Sequence, residues 1–415
     1  MTQAAPTTRR AVVTGLGAVA PNGFGTEEYW KATLRGRSGI HPLHRYDASG
    51  FPSRLAGQIL GFEAEQHIPG RLLPQTDRVT RLALVAGQSA LDDAGVDPQA
   101  LVDYSMGVVT SSAIGGFEFT HGEVHKLWTK GPQHVSVYES FAWFYAVNTG
   151  QLSIRHGMRG PSGVLVGEQA GGLDAIGHAR RNLRRGIDLV VTGGCDSALD
   201  PWGYVSHLTT GRISRATEPE LAYRPFDAAA DGYVPGEGGA ILVLEDERAA
   251  RARGAATLYG EIAGYAATFD PPPGSERPPG LARAARLALD DAGVRPEDVD
   301  AVFADAAGVP DLDRAEAEAI NEVFGAGAVP VTAPKSLVGR LNSGGPPLDV
   351  VAALLSIRDD VVPPTPNTTD VPADYGLDLV LSEPRNARVR TVLVLARGHG
   401  GFNAAVVVRA MNPEL

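Results

Sequence analysis

Short apolar runs bounded by glycine alternate along this chain with longer segments whose apolar positions recur every three to four residues. The runs at 11–14, 106–109, 164–166, 189–192, 240–244, 301–304, 391–395 and 404–408 are brief and rich in valine, leucine and alanine. That is the pattern of buried β-strands. The longer segments, at 26–34, 75–94, 169–185, 280–291, 314–323 and 347–359, carry the period of amphipathic or buried helices. Strands alternating with helices predict a layered α/β protein. Residues 271–279, dense in proline, and 361–371, rich in Pro, Thr and Asn, are expected to be loops.

One phrase occurs twice. Leu91-Asp-Asp-Ala-Gly-Val96 returns as Leu289-Asp-Asp-Ala-Gly-Val294, each time closing a Leu/Ala-rich helix at a glycine, passing a proline (Pro98, Pro296) and entering an apolar strand. Glycine followed by proline is a strong helix stop. Two copies half a chain apart predict a duplicated unit, not a short-period solenoid. We therefore expect two fused α/β halves, 1–250 and 251–415.

Composition narrows the function. The chain has 415 residues, 37 basic against 48 acidic, for a net charge of −11. No basic domain offers a nucleic-acid footprint. The longest apolar stretches, such as 241–244 and 405–408, fall far short of the roughly 20 residues of a membrane helix. Residues 1–10 carry arginines without a following apolar signal core, so a cytoplasmic protein is expected. The single cysteine, Cys195, leaves no internal disulfide and no cysteine zinc site, and His pairs at ligand spacing are missing, so no metal is expected.

Gly15-Leu-Gly-Ala-Val-Ala20 fits the dinucleotide fingerprint in letters, but Pro21-Asn-Gly23 places a turn where a phosphate-holding helix must begin. No Walker A sequence and no Gly-x-Ser-x-Gly elbow occurs. The segment 161–175 reads as strand, tight turn and helix, which puts Gln169 at a helix N-terminus. A cysteine there would have its thiol activated. Glutamine has no ionisable nucleophile, so covalent acyl transfer from this position is closed. Taken alone, Gln169 is an ordinary capping or loop residue. Cys195, with no base or cationic field near it in sequence, reads as a small buried residue. Asp227 and Glu237 read as turn and network residues. His121, His125 and His207 lack motif partners and receive no role.

The block from Arg224-Pro-Phe-Asp through Gly236-Glu-Gly to Leu244-Glu245 resembles the long Pro-Phe-Asp…Gly-Glu-Gly…Leu-Glu segment of β-ketoacyl synthases. The likeness runs from Val13-Thr-Gly-Leu-Gly-Ala18 through the Gln169 elbow to Gly398-His-Gly-Gly-Phe-Asn403. It implies the thiolase-like fold, two similar halves in five-layer α/β/α/β/α packing, and obligate dimers. Active members carry a cysteine and two histidines. Here Gln169 stands for the cysteine, Asp305 for the first histidine and Arg340 for the second, while Lys335 of the Lys-Ser-x-x-Gly motif is kept. His399 stands where the family's gating loop has phenylalanine.

Gln169 alone would resemble the glutamine-type synthases that decarboxylate malonyl carrier protein for chain initiation, and that alternative stays open. Loss of both histidines removes the electrophilic support such chemistry uses. Glu168-Gln-Ala-Gly-Gly172, Ala304-Asp-Ala-Ala307 and Lys335-Ser-Leu-Val-Gly-Arg340 together resemble the chain length factors, or ketosynthase β subunits, of type II polyketide synthases. The resemblance implies a heterodimer with a catalytic ketosynthase α subunit, a polyketide tunnel at their interface and a length limit set by this chain. It implies no cofactor of this chain's own, the phosphopantetheinyl arm belonging to an acyl carrier protein. It places Thr110, Ala113, Phe117 and His134 along the tunnel. Ala113 and Phe117, four apart, are expected to share a helical face.

Overall fold

A computed structural model describes residues 9–272 and 274–411. The outermost residues of both expected halves, the start of the 1–10 segment and Pro273 of the 271–279 loop lie outside the described residues. The first half runs β1 (Ala11–Ala20), α1 (Arg78–Ala94), β2 (Met106–Ser111), α2 (Phe117–Lys130), α3 (Val147–His156), β3 (Ser162–Leu165), α4 (Gln169–Arg184), β4 (Leu189–Asp196) and β5 (Gly238–Asp246). The second runs β6 (Gly260–Phe269), α5 (Leu281–Ala292), β7 (Ala301–Phe303), α6 (Pro310–Phe324), β8 (Pro330–Thr332), α7 (Gly345–Asp359), β9 (Thr391–Gly398) and β10 (Phe402–Arg409).

The strand order states the duplication. From one edge it reads β3-β2-β4-β5-β1, then β6-β10-β9-β7-β8, the second series being the first in mirror order. Directions match as well. In each half the two outer pairings are parallel and the two inner ones antiparallel. The halves join where β1 meets β6 through only Val12↔Glu261 and Val13↔Gly260.

The repeated Leu-Asp-Asp-Ala-Gly phrase has a physical reason. β1 bulges between Val13 and Gly15, and the bond left free is taken when Leu16 N–H donates to Asp93 Oδ2 at 2.8 Å. The β6 ladder shifts register opposite Val407 and Val408, and Tyr265 N–H donates to Asp291 Oδ2 at 3.0 Å. A bulge leaves such a group unpaired, and the second aspartate of each phrase satisfies it. Gly15 and Gly264 hold equivalent places. A Cβ on either would fall on a helix carbonyl, of Ala90 or Ala288.

α1 and α3 cover one outer face, α5 and α6 the other, and α4 packs beside α7 between the two sheet halves. A helix enclosed by sheets must be apolar all round. α7 is buried from Gly345 to Ile357 and apolar but for Asp349, which Lys335 neutralises, and Ser356. No helix among the described residues is long and apolar enough to cross a membrane.

The pattern misplaced several ends. The first glycine run continues as strand to Ala20 instead of stopping at 14. The helix expected from 75 starts at Arg78, because Asp77 caps it by accepting from Val79 N–H at 2.8 Å and Gln75 belongs to a separate 3-10 segment. The helix expected from 314 starts at Pro310, a residue suited to a first turn. Residues 361 and 362 of an expected loop form a short strand with Arg385 and Asn386.

Candidate functional site

Three backbone strains gather at one place. Glu168, Ala306 and Asn342 hold φ of 51°, 52° and 48°, a region that costs a residue with a Cβ about 1–3 kcal/mol. Glu168 makes the turn from β3 into α4, its carbonyl accepting from Ser343 Oγ at 2.8 Å. Gln169, the first residue of α4, is thereby turned inward and fully buried. Its Nε2 donates to Asp305 Oδ1 at 3.2 Å, and its Oε1 is buried without a partner. Gly345 leaves the space for this amide, since a Cβ there would lie 2.9 Å from Oε1.

Asp305 follows β7 and is held from every side. Glu316 on α6 accepts its N–H at 2.7 Å and that of Ala306 at 2.8 Å, which pins the loop. Its carboxylate accepts from Gln169 Nε2, from Arg397 N–H at 2.9 Å, and from both guanidinium nitrogens of Arg340 at 3.3 and 3.4 Å. Burial pushes this carboxyl upward, but the charges of Arg340, Lys335 and Arg397 outweigh it and keep its pKa below the ordinary value. Arg340 is the converse. Burial disfavours its charge, yet Asp305 and then Glu168 raise its pKa well above the usual guanidinium value. Arg340 also donates to the Arg397 carbonyl at 2.8 Å and lies 3.6 Å from Glu168 Oε1.

The three replaced positions thus form one hydrogen-bonded cluster, one member from the first half and two from the second. It contains an amide, an ionised carboxylate and a permanently charged guanidinium. None is a nucleophile of the thiol type, and none exchanges a proton near neutrality. Lys335, buried, pairs with Asp349 at 2.8 Å, a carboxyl that burial raises to about 6 against the opposing pull of the lysine. Cys195 is buried in β4, and burial raises its thiol far from ionisation. No group of three or more potential metal ligands occurs among the described residues.

A cavity of about 350 Å³ opens above the cluster. Asp305 and Arg340 form part of its wall, and His399 stands at its rim, with its N–H donated to Glu168 Oε2 at 2.9 Å. Pattern reading missed Arg212, Tyr233, Arg397 and His207, which also line it. His207, which stands in no motif, has its Nδ1 3.3 Å from the Tyr233 hydroxyl. Burial and the charge of Arg340 lower its pKa to about 4, so it is a neutral imidazole. No short motif marks these residues, since helix, strand and loop deliver them separately. His121 likewise has a partner, Asp200 at 2.8 Å.

The four positions assigned to the tunnel fall on a strand, a loop, a helix start and a 3-10 turn. Thr110 is buried in β2, its hydroxyl 2.7 Å from that of Thr149. Ala113 sits in the following loop, where its N–H donates to Asp196. Phe117 opens α2 and stacks on Trp202 at 4.7 Å. Ala113 and Phe117 therefore share no helical face, because Gly115 and Gly116 separate the loop from the helix. His134 is exposed on a single 3-10 turn beyond α2. Around these residues the surface is unusually apolar. Trp128, Val137 and Ile154 are 82, 78 and 78% exposed, Trp143 and Phe144 are exposed as well, and Val166 is exposed where it follows β3, a strand at the free edge of the sheet.

Residues 8–250 match the model of the β-ketoacyl synthase N-terminal domain and residues 259–369 that of its C-terminal domain. The actinorhodin polyketide putative beta-ketoacyl synthase 2 of Streptomyces coelicolor is 66% identical over 97% of this chain and 99% of its own length. The tetracenomycin polyketide synthase ketoacyl synthase beta subunit of Streptomyces glaucescens is 63% identical over 96% and 98%. Among solved structures, the ishigamide ketosynthase/chain length factor superposes with a TM-score of 0.88 at 28% identity, covering 98% of this chain and 100% of that one. A type II polyketide acyl carrier protein in complex with its ketosynthase, bound to the hexaketide, gives 0.87 at 28%, with the same coverage. With two matching domain models and relatives of this identity along nearly its whole length, the chain belongs to the β-ketoacyl synthase family, among the ketosynthase β subunits, or chain length factors, of type II polyketide synthases.

Proposed function

We propose that this chain is the non-condensing partner of a catalytic ketosynthase, forming with it the polyketide tunnel and limiting the length of the poly-β-ketone chain. The observation that carries this reading is the buried Gln169–Asp305–Arg340 cluster, which occupies the place of a nucleophile and its two imidazoles with groups that cannot condense thioesters. The exposed apolar side chains of Ile154 and Val166 by the unpaired edge of β3, with Trp128 and Trp143 exposed as well, support a partner. The carrier protein delivers its acyl groups to the partner's thiol.

Decarboxylation by Gln169 gains no support from the geometry. The amide donates to Asp305 and is shielded from the cavity by the ion pair. The test is co-expression with candidate ketosynthases, followed by co-purification and mass spectrometry of the products. Products are expected only with a cysteine-bearing partner. Product formation by this chain as a homodimer sinks the proposal.

A further inference from the structure

Asp196, the last residue of β4, is a fully buried carboxyl that stands outside the Gln169–Asp305–Arg340 cluster. Its donors come from two places. From the segment after β2, Ser112 Oγ donates to Oδ1 at 2.7 Å, Ala113 N–H to Oδ2 at 3.0 Å and Ile114 N–H to Oδ1 at 3.4 Å. From the second half of the chain, Ser343 N–H donates to Oδ2 at 2.9 Å. Burial raises the carboxyl to about 6, and these same four donors oppose the rise, so the group is charged near neutrality.

Each arm of this contact leads further. Ser112 Oγ accepts Gly115 N–H at 3.1 Å, which sets the turn at Gly115, φ 70°, that runs into Phe117 and α2. Ser343 donates its Oγ to the Glu168 carbonyl, at the elbow before Gln169. Gly194 lets the Ser343 backbone lie against β4, since a Cβ there would fall 2.4 Å from the Ser343 carbonyl oxygen. One carboxylate thus ties residues 112–115 to the Gln169 elbow, while the side chains of Ala113 and Ile114 stay partly exposed. An amide is a poor replacement, because its NH2 would face N–H donors whichever way it turned. Moving the segment would strand a buried anion, so the segment keeps one position.

We propose that Asp196 is a positioning residue for chain-length control, fixing the backbone of Ala113 and Ile114, and through Ser112 the approach to Phe117, at a set place relative to the Gln169 elbow. The inference rests on the length-setting reading of this chain. Asp196 reaches the growing polyketide only through the segment it holds.

The experiment is co-expression of the full-length chain with a cysteine-bearing ketosynthase and a carrier protein, with product lengths read by mass spectrometry and assembly by co-purification. Asp196→Asn should change the ratio of the main product length to its neighbours by about threefold or more while the complex still co-purifies. Ser112→Ala keeps the carboxylate and removes one donor, and should change the ratio in the same direction by less. Asp300→Asn removes a comparable acceptor, of the Arg390 and Thr391 N–H groups at the other end of β7 from Asp305, and should lower yield at most, with the ratio unchanged. An unchanged ratio in assembled Asp196→Asn overturns the proposal, as does an unchanged ratio in Ser112→Ala where Asp196→Asn does not assemble, or an equal change in Asp300→Asn. Phe117→Ala separates this failure from that of the length-setting reading. A change with Phe117→Ala alone overturns the role of Asp196 and leaves the reading standing, and no change in any variant removes both.

Discussion

At the scale of single residues the site is a buried charge pair whose members depend on each other. Asp305→Ala leaves Arg340 with Glu168, at 3.6 Å, as its one carboxylate partner, and Arg340→Ala leaves a desolvated carboxylate. Each should cost about 3–5 kcal/mol in urea unfolding. The double variant should cost less than the two singles together, by about 0.5–3 kcal/mol. Additive losses would mean that the pair is not a unit. Asp305 is held below its ordinary pKa, so its stabilising contribution is present near neutrality and is lost as pH falls through the acid range. Gln169, Asp305 and Arg340 were legible because each stands in a dense motif. Their mutual contact was not, since 136 residues separate Gln169 from Asp305 and 35 separate Asp305 from Arg340. His207, Arg212 and Arg397 stand in no motif at all, and only folding brings them to one wall.

At the scale of elements the repeated aspartate phrase is a clamp that seats an outer helix on a bulged strand, once in each half. Gly15→Ala and Gly264→Ala should therefore be costly to a similar degree, about 1–3 kcal/mol or more each by urea unfolding, because a methyl group would collide with a helix carbonyl. If one proves neutral, the two clamps are not equivalent. The echo was visible in letters, as were most strands and helices, but β6, β8, α2 and α3 were not. Its purpose was hidden, since the bulges opposite Asp93 and Asp291 leave no mark in hydrophobic pattern. The extension of β1 to Ala20 was hidden for a related reason. Glycines 15 and 17 look like a turn, whereas they face α1 at close approach. Ala113 and Phe117 misled in the opposite way, because spacing of four signals a shared face only where no glycine pair intervenes.

At the scale of the whole molecule one face remains unfinished. Ile154 protrudes from α3, which packs by the free edge strand β3, so charging its side chain should spare the chain's own fold and injure its assembly. Ile154→Asp is expected to abolish co-purification with a ketosynthase in size-exclusion chromatography, with far-UV circular dichroism unchanged. Retention of the complex would place the interface elsewhere. The central cluster carries a different consequence, for descent. Restoring a histidine at 305 strands the Arg340 guanidinium, restoring one at 340 strands the Asp305 carboxylate, and a cysteine at 169 alone gains no base. Either histidine step toward a condensing enzyme loses stability before it gains chemistry, and the cysteine step gains none alone, so the ion pair acts as a ratchet that holds the chain in its present role.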